Sequence, residues 1–115
     1  MNELITRIFT NFAVDGVTIP VKFLHYEGHG EPYIVWMKER MDTGFTADDE
    51  LVNYVDYYDF TIYSKGNYLN IVEAVKSLLK QNKFLWEVYR SSGDLYDPDT
   101  GYYYTTLNFS YIKGD

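Results

Sequence analysis

The stretch Tyr57–Gln81, YYDFTIYSKGNYLNIVEAVKSLLKQ, constrains this chain more than any other. It reads as a strand, a tight turn and an amphipathic helix in immediate succession. Tyr58, Phe60 and Ile62 alternate, so they share one face of a strand. Ser64-Lys65-Gly66-Asn67 carries turn chemistry, with Asn67 placed as the helix N-cap. Tyr68, Ile71, Val72, Val75, Leu78 and Leu79 recur at helical spacing, and Ala74 allows close approach. Glu73, Lys76, Lys80 and Gln81 fall on the opposite, solvated face. Lys80 also suits the negative end of the helix, which Asn82 closes. The strand begins well upstream. At ~3.3 Å per residue Leu51–Ser64 extends about 45 Å, against about 22 Å for a helix rising ~1.5 Å per residue. One helix cannot cover that length, so the first half of the strand is predicted to overhang, paired with the end of a Tyr33 strand in a projecting hairpin. Leu51, Val52, Tyr54, Val55 and Tyr57 put apolar groups on both faces there. Either a partner covers the second face, or a loop or the first helix does.

The remaining elements follow from the same periodicities. Leu4, Ile5, Ile8, Phe9 and Phe12 predict a helix over Asn2–Phe12 with Asn2 as its cap and Glu3 near its positive end. Asp15-Gly16 marks a turn. Ile19–Tyr26 reads as a strand with Pro20 at its start. The loop Glu27–Pro32 joins it to a second strand from Tyr33 to Lys38 or Arg40, and so short a link predicts an antiparallel hairpin. Met41–Glu50, polar and acidic, reads as a loop or mobile tip. Phe84–Tyr89 reads as a strand with Phe84, Trp86 and Val88 on one face. Arg90–Gly101 is a turn-rich connector. Tyr102–Ile112 alternates cleanly, with Tyr103, Thr105, Leu107, Phe109 and Tyr111 opposite a polar-aromatic face of Tyr102, Tyr104, Thr106, Asn108 and Ser110. The order α-β-β-β-α-β-β predicts one α+β domain over residues 1–115, with a mostly antiparallel four- to five-stranded sheet and two helices packed on one face.

Composition narrows the function classes. Seventeen acids against ten basic residues give a net charge of −7, which leaves no electrostatic footprint for gripping phosphates. There are no cysteines, so disulfide and thiolate chemistry are excluded. No apolar run approaches the ~20 residues of a membrane helix, and MNELITRIFTNF lacks the pattern of a secretory leader. Thirteen Tyr, seven Phe and two Trp suit sheet faces and protein contacts. His25, Glu27, His29 and Glu31 are metal-ligand types without a metal-site spacing. Asp94, Asp97 and Asp99 suggest calcium, but Gly101 stands where the loop pattern needs its third acid and no distant Glu follows, so turn chemistry is expected. Asp56 and Asp59, or His25 with Glu27, are of the types that supply acid–base groups. No nucleophile triad or phosphate loop accompanies them. No enzyme, cofactor or metal is expected.

The run DFTIYSKGNYLNIVEAVKSLL (Asp59–Leu79), the aromatic strand around Trp86, and RSSGDLYDPDTGYYYTTLNFSYI (Arg90–Ile112) resemble the tail-terminator, or tail-completion, proteins of long-tailed bacteriophages and prophages. The PYIVW segment at Tyr33 and the first helix add to the similarity, which covers most of the chain as an order of elements. The resemblance implies a four-stranded sheet with helices on one side, assembled as a hexameric ring. Such a ring caps the last ring of the tail tube, stops elongation and joins tail to head. It also implies as partners further copies of the chain, the tail-tube protein and a head-completion or neck protein. DNA passes through the ring without specific binding, and the acidic charge suits such a lumen. No membrane is involved. The location implied is the virion tail or neck, and the host cytoplasm during assembly. The expected interface residues lie on the overhang and the outer face of the last strand: Trp36, Met37, Met41, Phe45, Leu51, Tyr54, Val55, Tyr57, Tyr102 and Tyr104. Two other readings stay open: a head-completion or neck connector, and a carbohydrate-binding module in which Trp36, Tyr102 and Tyr104 stack on sugar rings.

Overall fold

The computed structural model describes residues 2–24, 32–47 and 50–114, with side chains for 3–24, 32–38 and 55–112. Among these residues it is an α+β structure: two α-helices and a mostly antiparallel six-stranded sheet, beside a separate two-stranded hairpin. No described helix is long and apolar enough to cross a membrane.

Helix α1 is Asn2–Ile8, shorter than its apolar stripe. The chain leaves the helix through Asn11, which takes a left-handed φ of 56°. Phe9 and Phe12 nonetheless stay in the core, packed edge to face at 5.2 Å. Asp15-Gly16 is a turn, and it closes a small hairpin of β1 (Ala13–Val14) and β2 (Val17–Thr18). Both turn residues have positive φ, 53° and 81°, the requirement of the tight turn that matches strand twist. An Asn70 Nδ2–H donated to Asp15 Oδ2 over 2.8 Å ties the hairpin to the second helix.

The strand expected over Ile19–Tyr26 is only Val21–Phe23 (β3) among the described residues. Its pairing corrects the expected antiparallel hairpin. β3 runs parallel to β4 (Tyr33–Ala47), with Val21 opposite Ile34 and Phe23 opposite Trp36. A three-residue strand is ~10 Å long, well within the reach of the nine residues between β3 and β4 at ~3.3 Å each. Of the loop expected over Met41–Glu50, residues 41–47 and Glu50 are strand, and residues 48 and 49 lie outside the described residues. β4 continues to Ala47 and β5 (Glu50–Ser64) begins three residues later. The two pair antiparallel from Tyr33↔Tyr63 to Ala47↔Glu50, with register shifts at Lys38/Arg40, Thr43/Phe45 and Phe45/Thr46. MDTGFTA is polar, contains a glycine and shows no apolar alternation, so periodicity has nothing to mark it as strand.

Helix α2 spans Leu69–Gln81, one residue inside the expected start. Asn67 Oδ1 accepts the Leu69 N–H at 3.0 Å, so the cap chemistry stands although Tyr68 occupies the cap position. At the other end Lys83 takes φ 71°. Its N–H reaches Lys80 O and the Phe84 N–H reaches Leu79 O, the paired closure that usually employs glycine. Phe84 is thereby driven into the core against Tyr111 (4.8 Å) and Tyr58 (6.0 Å).

That closure explains why Phe84–Tyr89 is not one strand. Only Leu85–Trp86 (β6) pairs, and Val88–Arg90 turns as a 3-10 helix. Phe84, Trp86 and Val88 do not share a buried face, since Trp86 and Val88 are exposed. β7 (Leu95–Asp97) then pairs with β8 (Tyr102–Gly114). The sheet order is β3-β4-β5-β8-β6, with β7 sharing the β6 side of β8.

The inner face of the sheet carries the rows Ile34–Ile62–Thr105 and Trp36–Phe60–Leu107, then Tyr58–Phe109. These residues join Ile5 and Phe9 of α1 and Ile71, Val75 and Leu79 of α2 in one buried cluster. Burial of each large apolar side chain stabilises the fold by about 1.5–3 kcal/mol.

Candidate functional site

The outer face is ordered row by row by strand register. Tyr33, Tyr63 and Tyr104 form the first row across β4, β5 and β8. Tyr33 and Tyr63 stack at 4.7 Å and 17°, and Tyr63 and Tyr104 at 5.6 Å and 26°. Tyr102 meets both Tyr33 and Tyr63 edge-on, and Lys65 Nζ lies 5.2 Å from its ring centre. Burial, then Tyr104 and Asp97, push the Tyr63 phenol above its ordinary range. Thr61 and Thr106 share a 2.9 Å hydrogen bond in the second row. The third row sets Met37, Asp59 and Asn108 side by side.

Polar groups converge around Asn108, which is fully buried. Its Nδ2–H is donated to Asp59 Oδ1 (2.8 Å), and its Oδ1 accepts from Arg90 Nε (3.2 Å). The Arg90 guanidinium lies 4.3 Å from the Tyr57 ring centre. Arg90 reaches this position because the chain between β6 and β7 leaves the sheet as a 3-10 turn. The departure would orphan backbone N–H groups of β8, a cost of about 1–3 kcal/mol each. Two serines replace the missing strand. Ser91 Oγ accepts the Asn108 N–H and Ser92 Oγ accepts the Thr106 N–H, both at 2.9 Å. Ser91 Oγ also accepts from Trp86 Nε1 and donates to Glu87 O, each at 2.9 Å.

Trp86 lines a pocket of about 280 Å³ with Lys76, Lys80, Phe84, Leu85 and Phe109. Lys76 Nζ stands 3.7 Å from the Trp86 ring centre, close enough for a cation–π contact. The same side of the sheet exposes Leu85, Val88, Leu95, Tyr96 and Tyr103, and Tyr89 is 100% exposed at the tip of the 3-10 turn. On the opposite side, Phe23 and Leu24 of the β3 edge and the nearby Val17 are exposed.

The expected interface residues separate. Trp36 is only 3% exposed. It lies on the inner face between Phe23 (4.7 Å) and Tyr58 (6.1 Å) and stacks on Phe60. This corrects its expected place on an outer contact surface, and it cannot stack on a sugar beside Tyr102 and Tyr104, which belong to the other face. The even–odd alternation of β4 puts Trp36 with Ile34, a signal present in YIVW. Met37, on the outer face, is 44% exposed. Val55, Tyr57, Tyr102 and Tyr104 are half-buried. The side chains of Met41, Phe45, Leu51 and Tyr54 lie outside the described residues, as do His25, Glu27, His29 and Glu31.

Asp56 and Asp59 fall on opposite faces, so they form no acid–base pair. Asp56 is 2% exposed at the end of the inner face. Its Oδ2 accepts the Tyr58 hydroxyl at 3.1 Å, and its Oδ1 lies 3.4 Å from Lys38 Nζ without a hydrogen bond. Burial, reinforced by the Asp56 charge and hydrogen bond, pushes the Tyr58 phenol far above its ordinary value. Tyr68, which donates its hydroxyl to Asp94, is raised by burial and then by that bond. Asp97 does turn work: Oδ1 accepts the Asp99 N–H and Oδ2 the Thr100 hydroxyl, and Gly101 follows at φ 78°. Among the described residues no group of three or more His, Asp or Glu could hold a metal.

Sequence reading missed Ser91, Ser92, Arg90 and the Trp86–Lys76–Lys80 pocket. The Ser-Ser pair between two short aromatic runs was the available signal, since a serine hydroxyl can stand in for a strand partner. No family model matches the chain, and no curated protein matches its sequence.

Proposed function

We propose that this chain is a structural, non-catalytic component of a phage or prophage tail. In this reading it assembles as a hexameric ring that caps the tail tube, ends its elongation and joins it to a neck or head-completion protein. One observation carries the self-assembly: the two sides of the sheet are unlike, yet both expose apolar side chains. Phe23 and Leu24 stand at one edge, and Leu85, Trp86, Val88 and Leu95 on the other. A closed ring of identical subunits uses two different surfaces of each copy. The β4–β5 hairpin supports the same reading. β4 and β5 stay paired to Ala47↔Glu50, a short way past the last β5–β8 pair at Asn53↔Gly114, and in this reading that end reaches toward a neighbour. The net charge of −7 suits a lumen through which DNA slides without adhering.

Light scattering during size exclusion, with negative-stain imaging in the presence and absence of tail tubes, tests the proposal. Rings, alone or seated on tube ends, are expected. A chain that stays monomeric at high concentration and leaves tail tubes bare overturns it. The outer-face tyrosines Tyr33, Tyr63 and Tyr104, whose ring faces stack on one another, leave their edges and hydroxyls for a second reading, contact with a carbohydrate. Oligosaccharide titration that shifts the resonances of those three rings would favour it, and silence across a panel would remove it.

A further inference from the structure

The recess beside Trp86 is assembled where the end of α2 meets β6 and β8. Buried Phe84 and Phe109 form its floor, and exposed Leu85 and Trp86 stand at its mouth. Lys76 and Lys80 are four residues apart on α2, so they share one side of the helix and line the same recess. Its volume of about 280 Å³ is close to the lower end of the ~300–1,000 Å³ range of ligand pockets. That size suits one ring and a short chain, and not an extended segment of protein.

The Trp86 ring is fixed before any ligand arrives. Its indole N–H is donated to Ser91 Oγ at 2.9 Å, and that hydroxyl is held in turn by the Asn108 N–H and Glu87 O. The only polar atom of the side chain is thus satisfied within the protein, and apolar ring surface is what remains for a ligand. A wall set in advance spares a ligand the cost of ordering it. The charge at the recess also runs against that of the chain, which is −7 overall. Two ammonium groups and no carboxylate stand among the described residues that line it. Lys76 Nζ is shared, 3.7 Å from the Trp86 ring centre and 4.0 Å from Glu73 Oε1. Lys80 is exposed and makes no ion pair among the described residues, so it offers the less encumbered charge.

We propose that this recess binds a small aryl carboxylate, its ring seated on Phe84 and Phe109 between Leu85 and Trp86 and its carboxylate held by Lys80 and Lys76. An apolar cavity alone would take a neutral ring, and two lysines alone would take phosphate. Together they select a molecule that carries a ring and an anion within one short reach. Lysine presents a point charge and not the planar fork of arginine, so charge holds the carboxylate while the ring sets the orientation. The proposal does not rest on the self-assembly reading, because every lining residue belongs to one copy.

Hydrocinnamate is the probe, and hydrocinnamide, the same skeleton without the charge, is its control. Each is titrated into isotope-labelled protein at constant ionic strength, since contacts between exposed charges weaken as salt rises. The Trp86 indole N–H resonance, identified by its loss in Trp86→Phe, is expected to shift with the acid. The acid is expected to bind about tenfold more tightly than the amide. Lys80→Gln keeps part of the apolar stem and removes the charge. It is expected to bring the acid down toward the amide and to leave the amide unchanged. Lys83→Gln, at an exposed lysine outside the recess, is expected to change neither. No shift at Trp86, equal binding of acid and amide, or equal effects of Lys80→Gln and Lys83→Gln would overturn the proposal. Inorganic phosphate is expected to leave the Trp86 resonance in place. If phosphate displaces the acid at equal concentration, the lysines act without the ring and the proposal falls as well.

Discussion

On the inner face of β4, β5 and β8, Ile34, Trp36, Phe60, Ile62, Leu107 and Phe109 are buried under two helices. On the outer face of the same strands, tyrosines stack, threonines share a hydrogen bond and Asn108 bridges Asp59 and Arg90. The backbone and register are common to both faces. The inner face is held by removal of apolar area from water, which grows with every methylene. The outer face is held by cross-strand pairs, each worth a fraction of a kilocalorie to about 1 kcal/mol. Strand pairing thus fixes which residues meet, whereas burial fixes how much each meeting stabilises.

The sharpest attempt to break that contrast is Phe60→Ala. It removes a ring that touches Phe9, Trp36 and Phe109, and a loss of about 3–5 kcal/mol is expected in a denaturant titration. A loss under about 1 kcal/mol would mean that the inner face is not closely packed. Next comes Ser91→Ala, which orphans the Asn108 N–H and the Trp86 indole. It should cost about 1–3 kcal/mol, and amide exchange should quicken locally at Asn108. The third probe is pH. The Tyr58 and Tyr68 phenols are raised above their ordinary value of 10.0, chiefly by burial. For a group whose folded value is raised, stability is complete below the unfolded value and drains as pH climbs past it. Stability should therefore hold to about pH 10 and fall above it. Tyrosinate absorbance from these two rings should appear with unfolding and not before. The smallest effect is expected from Tyr63→Thr on the outer face, under about 1 kcal/mol. If it equals Phe60→Ala, the two faces do not differ in kind.

The parts legible in the sequence were those with a buried face to write a period. The α2 stripe from Tyr68 to Leu79, the alternation of Tyr58, Phe60 and Ile62, and that of Thr105, Leu107 and Phe109 all lie in the core as read. Residues 41–47 of β4 read as a loop because their sequence carries no apolar period. The parallel placement of β3 was out of reach because nothing in three residues encodes strand direction. Phe84–Tyr89 misled because its aromatic alternation is real, while the closure at Lys83 sends Phe84 inward and leaves Trp86 outside. The Trp86 pocket joins α2 to β6, and the Asn108 cluster draws on β5, β8 and the 3-10 turn, so neither had a contiguous signature. Trp36 differs: its alternation with Ile34 in YIVW places it on the inner face, whereas its aromatic type alone suggests a contact surface.

The division of the β8 partner strand into β6 and β7 has a consequence for how this chain avoids sticking to others indiscriminately. An uninterrupted strand edge is a template on which foreign or misfolded chains can grow. Here one side of the sheet offers runs of two and three residues separated by a serine-bridged turn. The other offers a three-residue β3, and beyond it a β4 broken by register shifts at Lys38/Arg40 and Thr43/Phe45. Such interruptions deny fibril growth its ladder. Any neighbour must then recognise side chains, and recognition by side chains can be told to stop.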